Sequence, residues 1–396
     1  MNSEPFERDW HRDFDLNDAT FGDDFEQVCD QLLAQCPVAR SDVGEGYWIV
    51  SRYADVSRIL REWRSFSSAD GIIGVNRPLD QPLFKPNETD PPEHDDLRRV
   101  MNPHFTAAAI EKHEPEIRHI VDGLIDRFIE DGEAEIVRQY SDSIPSLAFC
   151  QAVASMPTED MPYLQETFHE AITGPAEQRG AEWLKGQQYM EQFLERRKNE
   201  SRIDDIVDAI LYFDFPDGRE YSRQERAGTL AQLTAGGIET TGAVISGALH
   251  YFATHPEERA RLAADSNLIK IAVEEFLRIF VPAPCLGRRV TRDVQLSGVK
   301  IPAGDYLIYN LGGANRDPSV FERPSAIDLA REPNRHLTFA AGVHHCVGLH
   351  LARLNIRIAI EIFLERIPDF RVPDGFEPHF QGGITRSMTS LELVFA

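Results

Sequence analysis

The sequence predicts a mainly α protein, and three observations carry that prediction. Apolar residues recur at three- and four-residue spacing along most of the chain, a long run with a capping signal opens at Ser222, and an apolar stretch over 349–367 has the length of a buried helix. Pro and Gly clusters break the periodicity, with no repeat or low-complexity segment among them. Residues 47–52, rich in aromatic and β-branched side chains, read as a short strand, and Val56, Ile59 and Leu60 lie on the helix that follows. Residues 71–92 hold Gly71, Gly74 and five prolines with little period, which predicts a long irregular loop of the kind that often carries function. Over 107–131, Ile110, Ile117, Ile120, Val121, Leu124, Ile125 and Phe128 predict one amphipathic helix stopped by Gly132.

Composition bounds the function. With 396 residues, 42% hydrophobic and 27% charged, the chain is neither disordered nor collagen-like and can bury a sizeable core. Its 41 Lys and Arg against 65 Asp and Glu leave a charge of -24, which opposes attraction to nucleic acid or anionic membrane, so an acidic partner must find a local basic patch. Neither an apolar leader nor a bilayer-length apolar run occurs, which predicts a soluble protein. Five scattered cysteines, an odd number, predict a reducing cytoplasm and no disulfide framework.

The run from Ser222 toward His255 begins with a Ser222–Glu225 capping box, yet its middle reads Gly236-Gly237-Ile238-Glu239-Thr240-Thr241. Two glycines cost about 1 kcal/mol each in a helix interior. Either another helix packs closely there, or something bulky lies flat against the glycines with Glu239 and Thr240 facing it.

The second constellation is Phe339-Ala340-Ala341-Gly342-Val343-His344-His345-Cys346-Val347-Gly348, ahead of the helix predicted over 349–367. Cys346 thus sits at a helix N-terminus, where backbone N–H groups lower a thiol pKa and favour a metal-binding thiolate. His344, His345 and His350 raise a zinc reading, but adjacent side chains on a tight loop converge poorly on a tetrahedral ion and no second cysteine lies near. A nucleophilic cysteine with a histidine base and a plain buried cysteine also remain open.

The spacing Phe-x-x-Gly-x-His-x-Cys-x-Gly resembles the haem-binding loop of the cytochrome P450 family. Three further motifs fall in family order: His94-Asp95-Asp96-Leu97-Arg98 resembles the C-helix motif, Gly236 to Thr241 the oxygen-activation segment of the central I helix, and Glu275-Phe276-Leu277-Arg278 the K-helix motif. The resemblance implies the P450 fold over 1–396 as a single haem domain: a helix-rich body with small β-sheets and haem b between the I helix and the proximal L helix. It is similar to soluble, camphor-hydroxylase-like bacterial monooxygenases, although no Tyr in residues 71–92 could present a phenol to substrate.

The resemblance assigns roles. Cys346 would be the axial ligand of the haem iron, with Gly342 and Gly348 keeping its loop tight and Phe339 on the proximal haem face. His94, Arg98, Arg288 and His336 would hold the propionates, which need charged donors in an apolar cleft, and His344 on the cysteine loop would be a further cofactor-binding residue. Glu239 and Thr240, an acid beside a hydroxyl where Asp-Thr is commoner, would hold water and relay protons for oxygen activation. Glu275 and Arg278 would be a structural ion pair. The substrate pocket would draw on Ile72, Ile73, Leu83, Phe84, Gln232, Ala235, Pro284, Leu286 and Ile384, a mostly apolar set that favours a small hydrophobic molecule.

The implied reaction inserts one atom of O2 into that molecule. Two electrons would come from NAD(P)H through a ferredoxin reductase and a 2Fe-2S ferredoxin, docking on a monomeric protein near Arg98, Arg99, Arg353 and Arg357. A haem-thiolate sensor or a silent ligand-binding scaffold would share Cys346 but would not need Glu239 and Thr240.

Overall fold

A computed structural model describes residues 9–72 and 84–395. Its axis is the helix Arg223–Thr254, opened by the capping box: Ser222 accepts from Glu225 N while the Glu225 carboxylate accepts from Ser222 N. Its 32 residues make a rod about 48 Å long at 1.5 Å per residue. The helix stays α-helical through both central glycines. Leu230, Ile245, Leu249 and Phe252 are fully buried in a core shared with Phe276, Ile356, Ile360 and Phe363 of the helices Asn267–Phe280 and Leu349–Arg366.

Close approach occurs one and two turns beyond the Gly236–Gly237 pair. A Cβ on Gly242 would lie 2.1 Å from Asp142 Oδ1 and 2.9 Å from Ser141 O, and one on Gly247 would lie 2.8 Å from the Phe280 ring.

The region predicted as one helix over 107–131 is three pieces: Ala107–Glu111, Glu114–Ile125 and a 3-10 turn, Ile129–Asp131. Pro115, at the start of the second piece, lacks the N–H that would continue the first. The apolar periodicity survives the break, with Ile110, Ile117, Val121 and Leu124 in one core. Gly132 stops the segment at φ +73°.

A five-stranded sheet flanks the helical body, in spatial order Val38–Ser41, Tyr47–Val50, Tyr306–Asn310, Cys285–Val290, Phe66–Ser67. Tyr47–Val50 runs parallel to Tyr306–Asn310, which is antiparallel to Cys285–Val290. The strand Cys285–Val290 alternates faces, so Leu286 and Arg288 point one way and Cys285 and Gly287 the other. Gly287 N donates to Ile72 O at 2.8 Å, fixing the start of the irregular loop beside the sheet.

The helix Asn267–Phe280 is anchored by a wholly buried ion pair. Arg278 Nε and Nη2 reach Glu275 at 2.8 and 2.7 Å, and Arg278 also donates to the carbonyls of Asn315, Pro324 and Ala326. Glu275 accepts further from Arg331, Asn334 and the Asp328 N–H. These bonds hold its pKa below the ordinary carboxylate range against the upward push of burial. The network ties the helix to the segment leading into the cysteine loop.

Two predictions follow from the packing. Gly242→Ala should destabilise the protein by about 1–3 kcal/mol through overpacking, whereas Gly123→Ala, whose Cβ meets nothing within 4 Å, should stabilise it by about 0.5–1 kcal/mol. Chemical denaturation checks both. Arg278→Ala, which strands Glu275 among fewer partners, should cost about 3–5 kcal/mol by the same measurement.

Candidate active site

A cavity of about 270 Å³ separates the middle of the helix Arg223–Thr254 from the start of Leu349–Arg366. The central helix presents Gln232, Leu233, Gly236, Gly237, Thr240, Thr241 and Val244 to it, one face at helical spacing. A Cβ on Gly236 would meet nothing within 4 Å, and one on Gly237 only the Phe149 side chain at 3.7 Å. Among the described residues only Phe149 comes within 4 Å of a Cβ built on either glycine, so close helix packing is not what the pair serves: its backbone floors a cavity that Thr240 faces and Glu239 does not.

Phe339, Cys346, Val347 and Gly348 form the opposite wall. Gly342 has φ +73°, and a Cβ there would strike Leu60 O at 2.3 Å, so only glycine lets the loop lie against the helix Tyr53–Arg61. Cys346 N donates to Phe339 O at 2.9 Å, closing the loop. Burial pushes the Cys346 thiol pKa up, with the Gly348 N–H, Arg98 and Arg353 pulling it back less strongly. The lowered thiol pKa expected from a helix N-terminus is therefore not found. Desolvation outweighs the donors around the sulfur.

Arg98 and Arg288 line the cavity. Arg98 Nε donates to Asn102 at 3.1 Å, and Arg288 Nη1 donates to its neighbour's carbonyl, Gly287 O, at 2.7 Å while lying over the Tyr309 ring. Neither is ion-paired among the described residues. His344 also lines the cavity, with Nε2 3.1 Å from Ser68 Oγ and its ring 4.4 Å from that of His94; burial, then Arg288, pushes its pKa down to about 2. His94 stands behind His344 and bonds Asp95, leaving a buried Nε2 without a partner.

Several expected positions are elsewhere. His336 is turned from the cavity: Nε2 meets Glu274 at 3.1 Å and Nδ1 accepts from Thr338 N, so Glu274 takes the place foreseen for a propionate. Glu274 also binds Arg353 at 2.6 and 2.8 Å, while Arg357 pairs with Glu361 and Glu114, and Arg99 with Asp96. The arginines foreseen as a docking patch are thus engaged internally, and Arg98 faces the cavity.

Of the foreseen pocket, Ile72, Gln232 and Leu286 line the cavity, and Ile73 and Leu83 lie outside the described residues. Ala235, about 100° of helical rotation from Gly236, packs into the core. Phe84 lies against Trp183, the rings tilted by 57° with centroids 4.3 Å apart, in a separate small pocket. Pro284 and Ile384 are not among the lining residues, and Pro284 instead accepts from Leu311 N. Sequence reasoning missed Phe149, Phe105, Met101 and Ala283 as lining residues. Their signal was only generic hydrophobicity.

Thr240 lines the cavity and donates to Gly236 O at 2.9 Å. Glu239 does not line it. Only 3% exposed, its Oε1 meets His169 Nδ1 at 2.9 Å and its Oε2 accepts from Thr385 at 3.2 Å. Burial raises its pKa, and the bonds from His169 and Thr385 oppose that.

The family model described as Cytochrome P450 matches residues 146–374. The chain is 32% identical over 374 residues to the vitamin D(3) 25-hydroxylase of Pseudonocardia autotrophica, covering 92% of this chain and 91% of the relative. It is also 32% identical over 372 residues to the mycinamicin IV hydroxylase/epoxidase of Micromonospora griseorubida, covering 90% and 91%. Among solved structures, CYP109E1 of Bacillus megaterium in complex with testosterone superposes with a TM-score of 0.84 at 26% identity, over 93% of this chain and 97% of that one. The chain belongs to the cytochrome P450 family, and it is an oxidoreductase: a monooxygenase of organic substrates that carries haem b.

The residues present fit that cofactor. A thiol stands on one wall, the Gly236–Gly237 surface of the central helix faces it, and two guanidiniums without carboxylate partners among the described residues can meet two propionates. No helix among the described residues is long and apolar enough to cross a membrane. Arg288→Ala and Arg98→Ala should each weaken haem retention, read as faster transfer of haem to apomyoglobin, with the larger effect in the double variant.

Proposed function

We propose that this enzyme hydroxylates a small hydrophobic molecule in the cytoplasm, with electrons delivered from NAD(P)H by a ferredoxin reductase and a 2Fe-2S ferredoxin. The observation that carries the reading is one cavity bounded by Cys346, the bare Gly236–Gly237 surface, Thr240 and the two carboxylate-free arginines. Haem b, once bound, supplies the redox chemistry that activates O2 and places one oxygen atom on the substrate. Cys346 would hold its iron, and Phe339 would pack beside the sulfur. Arg98, Arg288 and His344 would bind the propionates, with His94 fixing the His344 ring from behind. Gly348 donates its N–H toward the Cys346 sulfur, which tunes the electron density of the ligand.

Ile72, Leu233, Phe149, Val244, Ala283 and Leu286 give the cavity its apolar lining and favour a hydrocarbon skeleton; burying it contributes about 25 cal/mol per Å². The relatives named for vitamin D(3), mycinamicin IV and testosterone support organic substrates of this kind. The Thr240 hydroxyl is a polar donor on the cavity face of the central helix one residue from Glu239, and it can exchange its bond to Gly236 O for one to water. Glu239, with a raised pKa, can hold a proton at Oε1 or Oε2 near neutral pH more readily than an exposed carboxylate. All five cysteines are free thiols, in keeping with a reducing compartment.

Cys346→Ala should abolish the red-shifted Soret band of the reduced CO complex, while replacement of Cys36 leaves it in place. Retention of that band without Cys346 would overturn the ligand assignment. Thr240→Ala should still bind haem and substrate and still consume reduced cofactor, but divert oxygen to hydrogen peroxide, so that product per NAD(P)H falls several-fold. The assay follows cofactor, peroxide and product together, with a ferredoxin and reductase pair as donor. Unchanged coupling would reduce Thr240 to a helix back-bond.

A further inference from the structure

Glu239 is held from two directions. Thr385, on the C-terminal segment, donates to Oε2, and His169, on the helix Met161–Thr173, meets Oε1. Thr173 Oγ1 donates its one hydrogen to His169 O at 2.9 Å, so at 3.2 Å from His169 Nε2 it accepts, which places a proton on Nε2. One further proton lies across the 2.9 Å between Nδ1 and Glu239 Oε1: on Nδ1 it makes the pair an imidazolium and a carboxylate, on Oε1 a neutral ring and a carboxylic acid. The His169 side chain is 30% exposed against 3% for Glu239.

We propose that His169 is a positioning and proton-exchange residue for Glu239, linking that buried carboxyl to bulk water. The inference rests on the reading of Glu239 and Thr240 given above. As an imidazolium, His169 keeps the carboxylate turned out of the cavity. In the exchange, the Nδ1–H bond breaks as an Oε1–H bond forms, leaving a neutral imidazole with its proton on Nε2. The loss of opposite charges frees the carboxyl to turn toward the Thr240 side of the helix. The partly exposed ring swings out and regains a solvent proton at Nδ1, and the pair is restored once Glu239 has given its proton up.

The other charged groups around the pair come from three elements. Asp142 and Arg138 lie on the segment beneath Gly242, Glu135 on the strand Glu133–Glu135, and Arg179 on the helix Ala176–Arg197. Burial, reinforced by Glu239, pushes the Asp142 pKa well above the ordinary carboxylate range, which weakens its claim on the His169 proton relative to Glu239. The bond to Glu239 raises His169 above the ordinary histidine value, with burial opposing. Because the protonated ring is the donor, turnover should hold below that raised pKa and fall as pH rises through it.

The test uses the holoenzyme with its electron donors and a substrate found by screening hydrophobic ligands for spectral binding shifts. His169→Asn keeps an amide N–H donor for Glu239 but has no exchangeable charge, and His169→Gln serves if that variant is lost. Expected are an unchanged CO spectrum and substrate affinity, turnover lower by tenfold or more, and loss of the alkaline limb of the pH profile. A second readout needs no turnover: in the diamagnetic reduced CO complex labelled with 15N-histidine, Glu239→Gln should lower the titration midpoint of His169 by at least one pH unit. A wild-type rate and pH profile in His169→Asn, or a His169 titration unmoved by Glu239→Gln, would overturn the inference. Slow turnover in Glu239→Gln alongside a wild-type His169→Asn would remove His169 and leave the acid–hydroxyl reading standing. Wild-type turnover in Glu239→Gln would remove that reading itself.

Discussion

A helix that must be packed at both ends and bare in its middle is the constraint on which this molecule is built. Over Arg223–Thr254 the flanking turns sit in the apolar core, while the central face opens on a cavity. Leaving apolar backbone without neighbours forfeits both dispersion contacts and burial, so the ends must be held firmly. The capping box at Ser222, the tight seats at Gly242 and Gly247 and the buried Glu275–Arg278 network next door do that holding. The glycines divide the labour. Gly242 and Gly247 let neighbours come close, and Gly236 and Gly237 keep them away.

The same constraint explains how much could be seen in the sequence. The cysteine loop, the central Gly-Gly-x-Glu-Thr segment and the cap at Ser222 are local patterns with local causes, and the structure brings the first two to opposite walls of one cavity. What failed depends on direction. Ala235 and Gly236 are equally plausible lining residues by motif, but 100° of helical rotation separates them and sends one into the core. His336 precedes the cysteine loop by a few residues, yet its ring turns to Glu274, which no spacing rule links to it. Pro115 was visible in the chain, and the strong apolar periodicity across it hid the break.

Long-range pairs were illegible for the same reason. His169 and Glu239 are 70 residues apart, and nothing near His169 marks it as the partner of a buried acid. The foreseen docking arginines show the converse: Arg353 and Arg357 are taken up by ion pairs, because Glu274 and Glu114 arrive from other helices and Glu361 lies one turn along the same one. On a chain of charge -24, a cation near the surface meets a carboxylate by default.

Against that background Arg98 and Arg288 stand out. Both lie in the wall of a cavity without an ion pair among the described residues, and burial lowers the pKa of Arg98. A desolvated guanidinium with no anion is a destabilising arrangement unless something supplies the charge. The carboxylates of a haem held between the two walls would supply that charge, beside the face that Gly236 and Gly237 leave bare. Binding would then add to folding stability, since a ligand that binds only the folded chain stabilises it by mass action. A haem bound there would also take up the Cys346 sulfur, whose thiol pKa burial pushes up, so that one group would answer the thiol, the arginines and the bare glycines together.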